Sequence, residues 1–164
     1  MRKRIPRKIK VQDAVEYYGA DIIYSDKFKR SHKNIQHGDV SVMEHSISVS
    51  MMSVKLAKIT HLKYDYYSLV RGSLLHDYFL YDWHTHGDLL HGYHHADIAL
   101  KNASDDFSVN PIEAHMITHH MFPLNIRPPK MREAIILCIA DKICAAKEVV
   151  SKPFYNKTIK KMGK

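Results

Sequence analysis

A chain of 164 residues, 45% of them hydrophobic, is long enough for one domain with a substantial core and no staples. No stretch reaches the length of a membrane span, and the basic N-terminus is not followed by the apolar run of a secretory signal, so a cytoplasmic protein is expected. The formal charge of +8 points to nucleic acid until it is located: residues 1–10 hold six bases and no acid, residues 151–164 hold five and no acid, and residues 11–150 carry a net −3. The expected organisation is a single domain over 11–150 between two basic tails, 1–10 and 151–164, whose contacts to nucleic acid would be weak.

In chain order, residues 11–30 predict a short amphipathic helix, a break at Gly19 and a second helical or irregular turn. Residues 31–39 form a polar loop punctuated by Gly38. From 39 to about 60, Val42, His45, Val49, Met52, Leu56 and Ile59 recur at spacings of three and four, the mark of a helix face turned inward. The next helix, about 66–80, places Leu69, Ser73, His76, Asp77 and Leu80 on one face. An aromatic, histidine-bearing connection follows and closes at Gly87, and Asp88 suits the N-cap of a helix that carries His91 and His95 one turn apart. Residues 102–108 read as a loop. Asn110, Pro111 and Glu113 then make a strong helix start, with a capping-box pair and proline at the first helical position. That helix delivers His115, His119 and His120 before Pro123. The last, about 130–150, aligns Ala134, Ile135, Cys138, Asp141 and Ala145. No period-two pattern persists, so the expected fold is all-α, an irregular bundle of five or six main helices.

All 13 histidines lie between His32 and His120, inside the expected domain. Singly, an inward imidazole or carboxylate is a hydrogen-bonded core residue. Together, His45, His76 with Asp77, His91 or a neighbour, His119 with His120, and Asp141 require five helices each to satisfy a buried polar group. A shared cation is the more economical account, because imidazole nitrogen and carboxylate oxygen together suit a first-row divalent metal. Cys138 and Cys144 fit neither a zinc ribbon nor a disulfide framework and read as small buried thiols.

The order His45, His76-Asp77, Asp141 resembles the HD superfamily of metal-dependent phosphohydrolases, over roughly residues 36–148. QHGDVSVMEHSISVS looks like that family's first-histidine helix and IILCIADKICA like its closing aspartate helix. Further residues resemble the binuclear branch, which adds one histidine and then a histidine pair. The resemblance implies that His45, His76, Asp77 and Asp141 hold one metal, that His91, His119 and His120 hold a second, and that Asp77 bridges; His94, His95 and His115 leave the second-site choice open. It also implies one or two ions of iron, manganese, cobalt, nickel or zinc, and hydrolysis of a small phosphorylated substrate, such as a nucleotide, by metal-activated water at His76 and Asp77. Candidate substrate contacts are His84, His86, Arg127, Lys130 and Lys142, with Tyr81 and Trp83 as stacking platforms. Leu80 stands where many relatives have lysine, and the GYP motif of the cyclic dinucleotide phosphodiesterases is missing after His120. A di-iron oxygenase of the same superfamily and a non-catalytic metal-bearing module are the alternative expectations.

Overall fold

The helix Val42–Ile59 is buried around most of its circumference, and the rest of the molecule is arranged on its two sides. A computed structural model describes residues 9–78, 91–150 (91–94 by their backbone), 159, 161 and 162. Within these the α-helices are α1 (Val11–Ile23), α2 (Asp26–Lys29), α3 (Val42–Ile59), α4 (Tyr66–Leu75), α5 (His91–Asp106), α6 (Pro111–His119) and α7 (Arg132–Val150). A 3-10 turn, Arg30–Lys33, and a two-stranded antiparallel hairpin, β1 (Ile35–His37) and β2 (Val40–Ser41), precede α3. The protein is an all-α bundle with this one small hairpin.

Two hydrophobic clusters explain why α3 is buried along most of its length. On one side Ile47, Met51 and Val54 pack with Val15 and Ile22 of α1, Leu74 of α4 and Ala99 of α5. On the other, Val49, Met52 and Ala57 pack with Leu69 of α4, Met116 of α6 and Ala134, Leu137 and Cys144 of α7. Small residues let α3 and α4 approach closely: Ser73 Oγ donates to Ser53 Oγ at 3.1 Å and Ser50 Oγ to the Val70 carbonyl at 3.3 Å. Ile159 and Met162 join the first cluster, so part of the segment read as a basic tail is held in the core.

Several boundaries differ from expectation. Gly19 does not break α1, which runs through it; a Cβ there would stand 2.5 Å from Leu74 Cδ1, so the residue serves helix contact rather than a turn. The hairpin occupies 35–41, where a polar loop over 31–39 and the start of a helix at 39 are expected, and the capping box of Ser41 and Glu44 starts α3 at Val42. The box at Asn110 and Glu113 starts α6 as its spacing predicts. Residues 102–106 continue α5, and the expected cap at Asp88 lies outside the described residues. Ile59 and Ile135, placed inward by periodicity, are exposed, because Ile59 is the last residue of α3, beyond the second cluster, and α7 turns its Ala134 and Leu137 face to the core.

Gly19→Val is expected to destabilise the protein by about 1–3 kcal/mol through overpacking against Leu74 and Val70. Thermal denaturation measures it; an unchanged melting temperature would mean that α1 does not pack through this glycine.

Candidate metal centre

The pair His76-Asp77 lies just past the last residue of α4, not inside the helix as its apolar pattern suggests. His76 is the C-cap, and its Nδ1–H donates to the Ser73 carbonyl at 2.8 Å, one of the carbonyls that a helix end leaves without an internal partner. His120 repeats this device as the C-cap of α6, with Nδ1–H donating to the Ile117 carbonyl at 2.7 Å. His45, in α3, directs Nδ1 to Glu148 Oε2 at 2.6 Å. Each ring thus spends Nδ1 on an oxygen, which leaves the Nε2 lone pair of the neutral imidazole for something else.

Those Nε2 atoms converge on two carboxylates. His45 Nε2 lies 3.1 Å from Asp141 Oδ1 and 3.6 Å from Asp77 Oδ2, and His76 Nε2 lies 3.3 Å from Asp77 Oδ2 and 3.6 Å from Asp141 Oδ1. On the other side of the same carboxylate, Asp77 Oδ1 is 2.6 Å from His95 Nε2 and 3.2 Å from His120 Nε2. The result is two donor sets able to hold a metal ion, His45, His76, Asp77 and Asp141, and Asp77, His95 and His120, which share Asp77 through different oxygens. Five imidazoles form one row: the ring centroids of His37, His45, His76, His120 and His95 follow one another at 5.2, 5.4, 4.9 and 5.4 Å.

The electrostatics call for a cation. Asp77 is 2% exposed, and a carboxylate buried that deeply is costly without a counter-charge. Two helix C-termini, those of α4 and α6, add partial negative charge at the same place. Without metal, protons supply the balance. Burial alone would lower the His45 pKa, but Asp141 and Glu148 outweigh it and hold it at about 9. Burial likewise opposes protonation of His76, yet the carboxylates of Asp77 and Asp141 raise it to about 10. Asp77 and Asp141 are held below the usual carboxylate range, against the effect of burial, by His76 and His95 around the first and by His45 and His76 around the second. His120 is pushed down by burial and stays a neutral donor. Among the described residues, Nε2 of His76 and of His120 are buried and make no hydrogen bond, although both lie close to Asp77, which fits a ligand role.

No family model, curated protein or solved structure matches the chain.

Of the residues singled out in the sequence, His45, His76, Asp77, His120 and Asp141 come together. His119 does not. Successive helical residues project about 100° apart, so with His120 turned inward the His119 ring stacks on His115 at 3.8 Å and its Nδ1 faces the His115 carbonyl. The side chain of His91 lies outside the described residues, and in α5 His95 is the histidine that reaches Asp77. His84, His86, Tyr81, Trp83 and Leu80 also lie outside them. Arg127 is engaged at the surface in a forked pair with Asp97. Lys142 donates to the His120 and Cys138 carbonyls, tying the α6 end to α7, and Lys130 gives its backbone N–H to His115. Sequence reasoning missed Glu148 and Gln36. Glu148 continues the spacing Ala134, Cys138, Asp141, Ala145 by three more residues, a signal that was present; Gln36, in an expected loop, had none.

Two measurements follow from this geometry. The raised pKa values of His45 and His76 contribute stability to the metal-free protein that is complete below the unfolded value of 6.5 and lost as pH rises through about 9 to 10. The metal-free melting temperature should therefore fall between pH 6.5 and 10, and added Mn2+, which displaces those protons, should raise it more at pH 8.5 than at 6.5. His95→Ala should weaken one phase of Mn2+ binding in titration calorimetry by at least ~100-fold, more than loss of an outer-shell partner costs. His119→Ala should leave both phases unchanged.

Proposed function

We propose that the protein is a metal-dependent phosphohydrolase of the HD type, with His45, His76, Asp77 and Asp141 holding one divalent ion and Asp77, His95 and His120 the other. The observation that carries the reading is the division of Asp77, with Oδ2 toward His45 and His76 and Oδ1 toward His95 and His120. A carboxylate placed in that way suits a bridge between two cations. When bound, such ions lower the pKa of a water and polarise a phosphoryl oxygen, and a pair about 3.5–4 Å apart stabilises attacking and leaving oxygens together.

The chain's own residues have three tasks. Ser73, Ile117 and Glu148 fix the ring orientation of His76, His120 and His45, so that the Nε2 atoms are aimed before any ion arrives, and on His45 and His76 an ion would take the place of the Nε2 proton. Burial of the centre excludes bulk water and strengthens every charge interaction inside it. The excess of carboxylate and helix C-terminal charge selects a cation and, through it, a phosphorylated substrate. Phosphate contacts from cationic side chains are not required to come from Arg127, which is held by Asp97 at the surface. The donor set of nitrogen and oxygen suits iron, manganese, cobalt, nickel or zinc.

The test is metal analysis of the purified protein with a panel of phosphomonoesters, nucleotides and cyclic dinucleotides. His76→Ala and Asp77→Ala should each lower metal affinity by at least ~100-fold and abolish the hydrolytic activity the wild type shows. Unchanged metal content in both variants would overturn the reading.

A further inference from the structure

On the reading that Asp77 is shared between two ions, we propose that Gln36 is a positioning residue of that carboxylate, fixing which of its oxygens serves the His45, His76 and Asp141 side. The hairpin that carries it is built against the usual rule. Strand alternation puts Ile35 and His37 on one face and Gln36 on the other, and an apolar residue ordinarily takes the inner face. Here Ile35 is 38% exposed and Gln36 only 4%. Pairing shows how this is arranged: Ile35 lies opposite Ser41 and His37 opposite Val40, so Gln36 is an extra residue in a bulge. Bulges re-aim a side chain at the cost of regular pairing.

The bulge is anchored on the site. Gly38, at a φ of +55°, makes the turn, and a Cβ there would stand 3.3 Å from the carbonyl of Glu148, the residue that orients His45. From this seat Gln36 Nε2 donates to Asp77 Oδ2 at 2.5 Å, between two buried residues 41 positions apart. The other half of the amide has no partner among the described residues, where Oε1 is buried and unpaired. Oxygen and nitrogen of one amide are about 2.2 Å apart, so this acceptor remains beside the carboxylate. Filling this volume would take only an apolar side chain with no buried oxygen to leave unpaired, so the amide is accounted for by the carboxylate it donates to. Gln36 and His95 thus hold Asp77 from opposite sides, the amide on Oδ2 and the imidazole on Oδ1.

The experiment compares wild type with Gln36→Met and Gln36→Asn by Mn2+ titration calorimetry and by melting temperature with and without Mn2+. Gln36→Met removes both amide atoms and keeps the length; Gln36→Asn keeps the amide but withdraws it by one carbon. In both, the phase of binding that belongs to the His45 side should weaken 10–100-fold, and the phase weakened by His95→Ala should persist. The metal-free melting temperature of Gln36→Met should fall, because Asp77 Oδ2 loses a donor; loss confined to the His45-side phase is what a purely structural glutamine would not produce. Should Gln36→Met fail to fold, Gln36→Asn decides alone. Wild-type affinity in either folded variant would overturn the role of Gln36 while leaving the metal reading intact, whereas a wild-type chain that binds no Mn2+, Fe2+, Co2+, Ni2+ or Zn2+ would overturn the metal reading and this proposal with it.

Discussion

A carboxylate that is 2% exposed and faced on both sides by imidazole nitrogens is the constraint on which this molecule turns. Asp77 cannot be buried as an anion without positive charge, and the surrounding rings cannot all point Nε2 inward without something to receive the lone pairs. Protons on His45 and His76 satisfy both demands in the metal-free chain. Divalent ions satisfy them better, since a cation takes several lone pairs at once and a proton takes one.

The helical scaffold is suited to build such a centre because helix ends are polar and helix faces are not. α4 and α6 both stop at a histidine whose Nδ1 is taken up by a carbonyl three residues back, so the backbone itself sets the tautomer. The same ends bring negative dipole charge to the ligands. α3 and α7 contribute from within their spans, with His45 in the first turn of α3, Asp141 midway along α7 and Glu148 in its last turn, and these three are satisfied by one another. Leu75 and Tyr78 of one core cluster and Ala140 and Cys144 of the other flank these residues in the chain, so hydrophobic packing on both sides holds the polar centre in place.

Cationic side chains play a smaller part than their number suggests. Arg71 is buried between Glu113, Asp21 and the Ser108 carbonyl, which ties α4 to α6 and α1. Lys142 secures the end of α6 to α7. These are scaffold contacts, and the attraction for a phosphorylated ligand in the proposed function comes through bound cations.

Helical class, the cap at Asn110 and the ligand order His45, His76, Asp77, Asp141 were legible in the chain because they rest on local properties: a period near 3.6, a capping spacing of three, and polar residues standing on apolar faces. Glu148 was legible too, at the next step of the stripe that carries Asp141. What periodicity could not resolve is which of several neighbouring histidines reaches the centre, since His119 and His120 differ by a rotation of about 100° and His91 and His95 by one turn along the same face, and both choices depend on how helices distant in sequence cross. Packing of α5 and α6 against α4 settled that His95 and His120 meet Asp77 and that His119 stacks on His115. Gln36 lay furthest from view: its inward aim depends on a bulge in a hairpin whose strands have three and two residues, too short to print a pattern, and its partner stands 41 positions away.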